Sequence, residues 1–252
     1  YNYATHAWSF LSEVSLLQTN YKQSGNLTGT QYSDTVSRTI PKVRLYSQLN
    51  FEREASYFFE DGIQTLEPQI QYLYTPNKDQ SDIGLFDTTK LQDDYYGLFR
   101  DVRFSGVDRI AAANQFTLGA TTRLFDKKQE EVFNFSAGQI FYLSDDAKPT
   151  EQGLNSDTNY NALFAAQTML HWHRRWYLAG GIQYDTDGKQ MVQSNVTLDY
   201  KGDNNQLVQL NHRYANDVSG NTIEQAGVFT SIPISDEWQF IASYHRDLEN
   251  NR

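Results

Sequence analysis

The chain has 252 residues, 14% of them aromatic, no cysteine, and a formal net charge of -10 from 21 basic and 31 acidic side chains. An acidic balance excludes nucleic acid as the partner, since phosphate neutralisation needs a basic face. Mean hydropathy is -0.65 and the longest apolar run is Ala162 to Ala166, so no helix of ~20 apolar residues can span a membrane. Absent cysteine removes disulfides, thiolate metal sites and a cysteine nucleophile from this stretch.

Along the chain, helical periodicity is scarce and alternation with period two recurs. A segment at about 6–18 is followed by 42–52, where Val43, Leu45, Ser47, Leu49 and Phe51 oppose Lys42, Arg44, Tyr46, Gln48, Asn50 and Glu52. Successive side chains of a strand point to opposite faces, so one face is apolar and the other wet. Residues 65–74 set Leu66, Pro68, Ile70, Tyr72 and Tyr74 against Thr65, Glu67, Gln69 and Gln71, with Pro68 lacking one ladder donor. In 114–125, Phe116, Leu118, Ala120 and Leu124 face away from Gln115, Thr117, Thr121 and Arg123. In 132–143, Phe133, Phe135, Ala137, Phe141 and Leu143 oppose Asn134, Ser136 and Gly138. Further on, Ala162, Phe164, Ala166, Leu170 and Trp172 oppose Asn161, Gln167 and His171. Segments 176–185, 191–200, 206–214, 223–232 and 238–245 alternate likewise, which makes roughly eleven strands.

The connections alternate too. Long polar stretches run over 19–34, 76–113 and 144–159, and short turns over 126–131, 173–175, 201–205 and 233–237, with 53–62 and 215–221 intermediate. Long connections on one rim and short turns on the other, with aromatic residues at strand ends (Tyr72, Tyr74, Phe141, Trp172, Trp176, Tyr184, Tyr200, Tyr214, Trp238), are the pattern of an antiparallel transmembrane β-barrel. Bacterial barrels close on an even strand number, so roughly eleven strands read as an arc of a larger barrel. A soluble antiparallel sandwich is the alternative, its alternation arising from one face buried in a core.

The polar face supplies candidate lumen-facing residues: Lys42, Arg44, Gln48, Glu67, Gln69, Gln71, Gln115, Thr117, Arg123, Asn134, Gln193, Asn195, Gln209, Asn211 and Arg213. The stretch 76–113 is too long for an idle connection, and its aromatic content argues for packing rather than disorder. Tyr95, Tyr96, Phe99, Arg100, Asp101, Arg103, Asp108 and Arg109 are the candidate extracellular cover, with Arg100 and Arg109 each expected to pair with a nearby Asp. A loop stabilised by its own charges is the competing reading. No nucleophile elbow, phosphate loop, dinucleotide fingerprint or His-Glu-x-x-His is present, so no catalytic, cofactor or metal residue is assigned and no enzyme is expected. His171 and His173, followed by Arg174 and Arg175, read as a solvated rim.

Several strings resemble the LptD family of outer-membrane lipopolysaccharide-assembly proteins, also called organic solvent tolerance proteins. They are Thr65-Leu66-Glu67-Pro68, Gln71-Tyr72-Leu73-Tyr74, Asp79-Gln80-Ser81-Asp82-Ile83, Gly97-Leu98-Phe99-Arg100-Asp101 and Asp108-Arg109-Ile110-Ala111. Ala113-Asn114-Gln115, Gly138-Gln139-Ile140, Gly180-Gly181-Ile182-Gln183-Tyr184-Asp185, Leu207-Val208-Gln209-Leu210-Asn211 and Arg213-Tyr214 continue in the family's order. The resemblance implies a central section of a barrel of about 26 strands in the Gram-negative outer membrane. It implies lipopolysaccharide as cargo, a lipoprotein plug, LptE, in the lumen, and outer-membrane lipid around the wall. It also implies a periplasmic lipopolysaccharide-bridge protein reached through an N-terminal domain that residues 1–252 lack, along with the closing strands. Residues 1–252 are then one section of a single barrel domain. A porin for small solutes is the next reading on pattern, followed by an outer-membrane hydrolase.

Overall fold

The alternating segments pair with their chain neighbours into one antiparallel sheet in a computed structural model, which describes residues 1–24, 33–56, 61–144, 163–218 and 221–249. The strands are β1 (Asn2–Ala4), β2 (Trp8–Lys22), β3 (Thr35–Leu49), β4 (Phe51–Ala55), β5 (Gly62–Thr75), β6 (Ala113–Phe125) and β7 (Glu131–Tyr142). They continue as β8 (Leu163–Trp172), β9 (Trp176–Asp185), β10 (Gln190–Lys201), β11 (Leu207–Val218), β12 (Asn221–Pro233) and β13 (Gln239–Asp247). Each pairs with the strand before it, except that β3 and β4 both pair with β5.

β3 and β4 are one strand with a gap, because the register continues from Gln48 facing Gln69 to Phe51 facing Leu66. The gap falls opposite Pro68, which has no N–H to donate. Asn50, at the gap, sends its backbone N–H to the carbonyl of Ala7 at 2.8 Å. Counting these two pieces as one and setting aside the three-residue β1 leaves the eleven long strands read from alternation among the described residues.

The hairpin of β2 and β3 is longer than its pattern suggests. It stays paired up to Lys22 facing Thr35, whereas β5 joins β3 only from Val43 facing Tyr74. Residues 35–42 therefore have one unpaired edge, where Pro41 is tolerated, and the hairpin projects past its neighbour as an arm.

Following the strands up and down puts 23–34, 76–112, 143–162, 186–189 and 219–220 on one rim. The other rim carries 5–7, 56–61, 126–130, 173–175, 202–206 and 234–238. The three long connections thus share a rim, and the expected asymmetry holds. Residues 144–159 lie largely outside the described residues, as does most of 23–34. Several short turns use left-handed backbone, at Asp61, Gln129, His173, Arg174, Asn204 and Asn205, which tightens the reversal.

The register also sorts the two faces. Leu45, Ile70, Phe116, Leu118, Phe135, Phe141, Ile182, Val196 and Leu210 fall on one face and are exposed, Leu118 at 45% and Val196 at 48%. Aromatic residues edge this face at both ends. Tyr72 and Phe116 lie 5.0 Å apart near the long-loop rim, and Trp176 and Tyr200 4.8 Å apart near the short-turn rim. At the level of Val196, its register partner, it also carries His212, whose Nε2 lies 3.2 Å from Glu224 Oε1. An apolar face this large, left bare by the chain, is the inverse of a soluble sandwich and fits contact with hydrocarbon.

In the full-length protein, Arg introduced at Leu45, Leu118 or Val196 is expected to reduce the heat-modifiable folded form far more than Arg at Gln48 or Asn195. An Arg near the midplane of a lipid-facing wall costs ~2–4 kcal/mol. Equal losses for both sets would contradict the division of faces.

Candidate functional site: a strapped segment on the polar face

All the candidate lumen-facing residues lie on the face opposite the apolar one, as the pairings of Gln48 with Gln69, Gln71 with Thr117, Arg123 with Asn134, and Asn195 with Arg213 require. The connection 76–112 folds onto this face. It therefore roofs part of what alternation reads as wet: Gln71 and Thr117 are fully buried, and Gln115 and Lys42 nearly so.

The segment has local order of its own. Helix α1 (Tyr95–Leu98) is a single turn, capped by Asp94, whose Oδ1 accepts the Gly97 N–H at 2.7 Å. Strand-like bonds from Leu91 N–H to the Arg103 carbonyl (2.9 Å) and from Ser105 N–H to the Thr89 carbonyl (3.0 Å) close the base of a loop around it. The Asp108 carboxylate gathers the N–H groups of Phe86 (2.9 Å) and Asp87 (3.1 Å) and the Thr88 hydroxyl (3.1 Å). Burial pushes the Asp108 carboxyl up, but those donors outweigh it and hold the group below its ordinary range.

Tyr95, Leu98 and Phe99 pack on Ile140, Leu163 and Ala165, apolar residues on an otherwise polar face. Their seat is shaped by Gly119 and Gly138, which face each other across β6 and β7. A Cβ on Gly119 would stand 2.9 Å from Phe99 Cζ and 3.1 Å from a Tyr95 ring carbon. The Tyr95 hydroxyl accepts from Gln69 Nε2 at 2.8 Å and from the Thr121 hydroxyl at 3.2 Å. The Thr117 hydroxyl donates to the Leu98 carbonyl and Arg44 Nη2 to the Phe99 carbonyl, both at 3.2 Å. Lys42 pairs with Asp101, whose carboxyl is raised by burial and lowered further by the Lys42 ammonium and Arg44, for a net depression.

A second attachment joins the segment to the β2–β3 arm. Arg38, 3% exposed, donates to the Thr19 hydroxyl (3.0 Å), the Asp108 carbonyl (3.0 Å), the Tyr21 hydroxyl (3.2 Å), Gln80 Oε1 and the Val107 carbonyl. Gln23 bonds the Asp82 carbonyl and the Gly84 N–H, each at 2.8 Å. Gln80 in turn bridges both backbone groups of Ile110, at 2.8 and 2.9 Å. A guanidinium taken out of water is tolerated only when its donors are met, and here they are met by two backbone carbonyls and Gln80 of the segment and by Thr19 and Tyr21 of the arm.

Among the described residues Arg100 has no Asp partner, contrary to the expectation. Arg100 Nη1 donates to the Gln92 carbonyl at 3.2 Å, and Arg109 Nη1 to the Asp108 carbonyl at 3.1 Å. Asp101 is engaged with Lys42, and Asp93 with Arg103 at 3.2 Å. Of the cover residues, Tyr95, Phe99, Asp108 and Arg109 are buried, Arg100, Asp101 and Arg103 half-buried, and Tyr96 exposed.

Away from the segment, Arg123 lies between Glu67 (3.2 Å) and Glu131 (2.9 Å), and Gln209 Nε2 donates to Asp199 at 2.8 Å. His171 stacks on Tyr177 with ring centroids 4.0 Å apart, while His173 leans on Trp172 in the turn. Among the described residues no group of three or more His, Cys, Asp or Glu is placed to hold a metal.

Alternation missed Arg38, Gln23, Gln80 and the Gly119–Gly138 seat. Arg38 was legible as a continuation of the Lys42 and Arg44 period, and the seat as Ile140 and Ala165 at polar-face positions.

The family described as LPS transport system D matches residues 1–238. The chain is 85% identical over its whole length to the LPS-assembly protein LptD of Pseudoalteromonas translucida (strain TAC 125), covering 34% of that protein. It is 47% identical to the protein of that name from Shewanella frigidimarina (strain NCIMB 400), over 98% of the chain and 33% of the relative. With that from Pseudoalteromonas atlantica (strain T6c / ATCC BAA-1087) the identity is 41%, over 98% of the chain and 32% of the relative. The chain thus spans about a third of the length of the curated relatives it matches.

Gly119→Val is expected to evict Tyr95 and Phe99 from their seat, since overpacking a filled site costs ~1–3 kcal/mol. Trypsin should then cut at Arg100 and Arg103 in folded full-length protein, while the barrel keeps its heat-modifiable migration. Unchanged resistance at those sites would show that the seat does not hold the segment.

Proposed function

The chain belongs to the LPS transport system D family, and on that premise we propose that its sheet is a wall section of the barrel that inserts lipopolysaccharide into the outer leaflet. Membership makes it part of an integral β-barrel of the Gram-negative outer membrane. Residues 1–252 form a section of one barrel domain, whose closing strands and N-terminal periplasmic domain belong to the longer protein. The polar face, from Lys42 to Arg213, lines the lumen, and the apolar face with its aromatic edges meets outer-membrane lipid. The long-loop rim is extracellular, following the usual distribution of loop lengths.

The cargo is lipopolysaccharide, handed up by a periplasmic bridge protein, and the lumen also houses the lipoprotein plug LptE. This section performs no bond chemistry in that reading. The segment 76–112 is the extracellular cover, and its strapping to the polar face is the observation that carries the proposal. A diffusion porin gains no support from the relatives, which are LPS-assembly proteins. A cover fixed at two places suits a barrel that must pass a large amphiphile without leaking small solutes. Loops of this length in compact folds are commonly binding or gating elements.

Deleting residues 85–108 from the full-length protein is expected to raise cellular uptake of vancomycin severalfold while the amount of heat-modifiable barrel stays the same. Unchanged uptake with an intact barrel would remove the cover role and leave the segment as packing alone.

A further inference from the structure

Beside α1, on the same polar face, lies an open cleft of about 330 Å³ that the strapped segment closes on one side only. Gln167, Gln183, Gln193, Asn195 and Asn134 rise from four neighbouring strands around it, and Gln92, Asp94 and Tyr95 form the wall supplied by the segment. The floor is backbone. At Gly181 a Cβ would stand 3.1 Å from Asn195 Oδ1, so the glycine keeps the notch open.

Among the described residues, the side-chain amides of Gln167, Gln183, Gln193 and Asn195 make no hydrogen bond to the chain. Gln183 is only 6% exposed, so the cleft is where its amide can be met. A buried amide without partners loses ~1–3 kcal/mol unless water or a ligand satisfies it. Elsewhere on this face Gln69 donates to Tyr95, Gln71 Oε1 accepts from Arg44, and Gln209 donates to Asp199. Gln71 Nε2 is likewise without a partner beneath the segment, whereas the amides around the cleft face an open volume.

Their chemistry restricts the ligand. An amide offers a donor and an acceptor side by side, which matches a hydroxyl that donates and accepts at once. Several amides converging with one carboxylate, Asp94, match a ring bearing adjacent hydroxyls. No cationic side chain lines the cleft, so phosphate and carboxylate groups find no counter-charge. Apolar chains find little to bury against. The volume is at the small end of ligand sites, of the order of ~300–1,000 Å³.

We propose that this cleft binds a neutral sugar residue from the saccharide portion of the transported lipopolysaccharide, with Gln183 and Gln193 as its principal hydrogen-bonding groups. The assignment rests on reading this face as the lumen wall and adds a saccharide-binding station to it. A weak station suits transit, since a sugar held by amides alone is exchanged with water at little net change in hydrogen bonding.

The test uses full-length protein purified with its lumen partner, and, as probe, the lipid-free polysaccharide released from the host's lipopolysaccharide by mild acid. Saturation-transfer NMR is expected to show transfer to neutral ring protons, weakened about tenfold by Gln183→Leu or Gln193→Leu. Asn20→Leu, which removes an amide from the opposite face, leaves the transfer unchanged. Heat-modifiable migration confirms that each variant is folded. Gln193→Leu, at the more open side, stands in if Gln183→Leu does not assemble. Absent transfer, or transfer indifferent to both substitutions, overturns the assignment. So does shedding of the lumen partner with transfer intact, which makes the cleft a protein contact. Binding is read on purified protein and the cover's barrier role in cells, so this site can fail without the cover failing.

Discussion

One face of this sheet is apolar across the long strands, and among the described residues the chain brings nothing to cover it. In water that arrangement is unstable, because each exposed Leu, Ile or Phe forgoes ~1.5–3 kcal/mol of burial. In hydrocarbon it is the requirement, since lipid also forbids open sheet edges and so demands closure with further strands. The remaining architecture follows from it. Polar residues are displaced to the other face, the short turns and long connections separate to opposite rims, and aromatic side chains collect at the two ends of the apolar band, as at Tyr72 with Phe116 and Trp176 with Tyr200.

The polar face creates the opposite problem for any segment that must rest on it. The connection 76–112 solves it by mixing contacts. Tyr95, Leu98 and Phe99 bury their rings and methyl groups in a small apolar patch made by Ile140, Leu163 and Ala165, where Gly119 and Gly138 give the rings room. Around the patch, wall side chains meet the segment's own backbone carbonyls: Thr117 at Leu98, Arg44 at Phe99, Arg38 at Val107 and Asp108. Buried cations satisfied in this way are destabilising once a partner is removed, so the segment is bound as a unit and not residue by residue. The two attachment sites lie at different places on the sheet, one centred on β6 to β8 and one on the projecting β2–β3 arm, with β3 contributing to both, which fixes orientation as well as position.

Much of the architecture was legible from alternation alone. The period-two pattern at 42–52 or 114–125 states both that a strand exists and which face is wet, and loop lengths state the rims. The strand count came out right because Pro68 and Asn50 interrupt a strand without shifting its register. The arm was shortened because the alternation was read only from Lys42 onward, although Arg38 is buried against the segment it supports. The seat was invisible for a related reason: Ile140 and Ala165 look like noise in a polar series until something lies on them. Ion-pair partners were misassigned because proximity in sequence, Arg100 beside Asp101, says little when Lys42 approaches from another strand.

The central claim is that the segment is held against the polar face of the wall in the assembled barrel. The most direct measurement replaces Lys42 and Asp101, which form an ion pair, by cysteine in the full-length protein and maps peptides joined by a short bifunctional thiosulfonate, which restores the reach of the two lost side chains, by mass spectrometry after treatment of intact cells. The account predicts a peptide containing position 42 joined to one containing position 101, in the heat-modifiable form only. Two free thiols in the folded barrel, with position 101 labelled by a membrane-impermeant maleimide from outside, would contradict it.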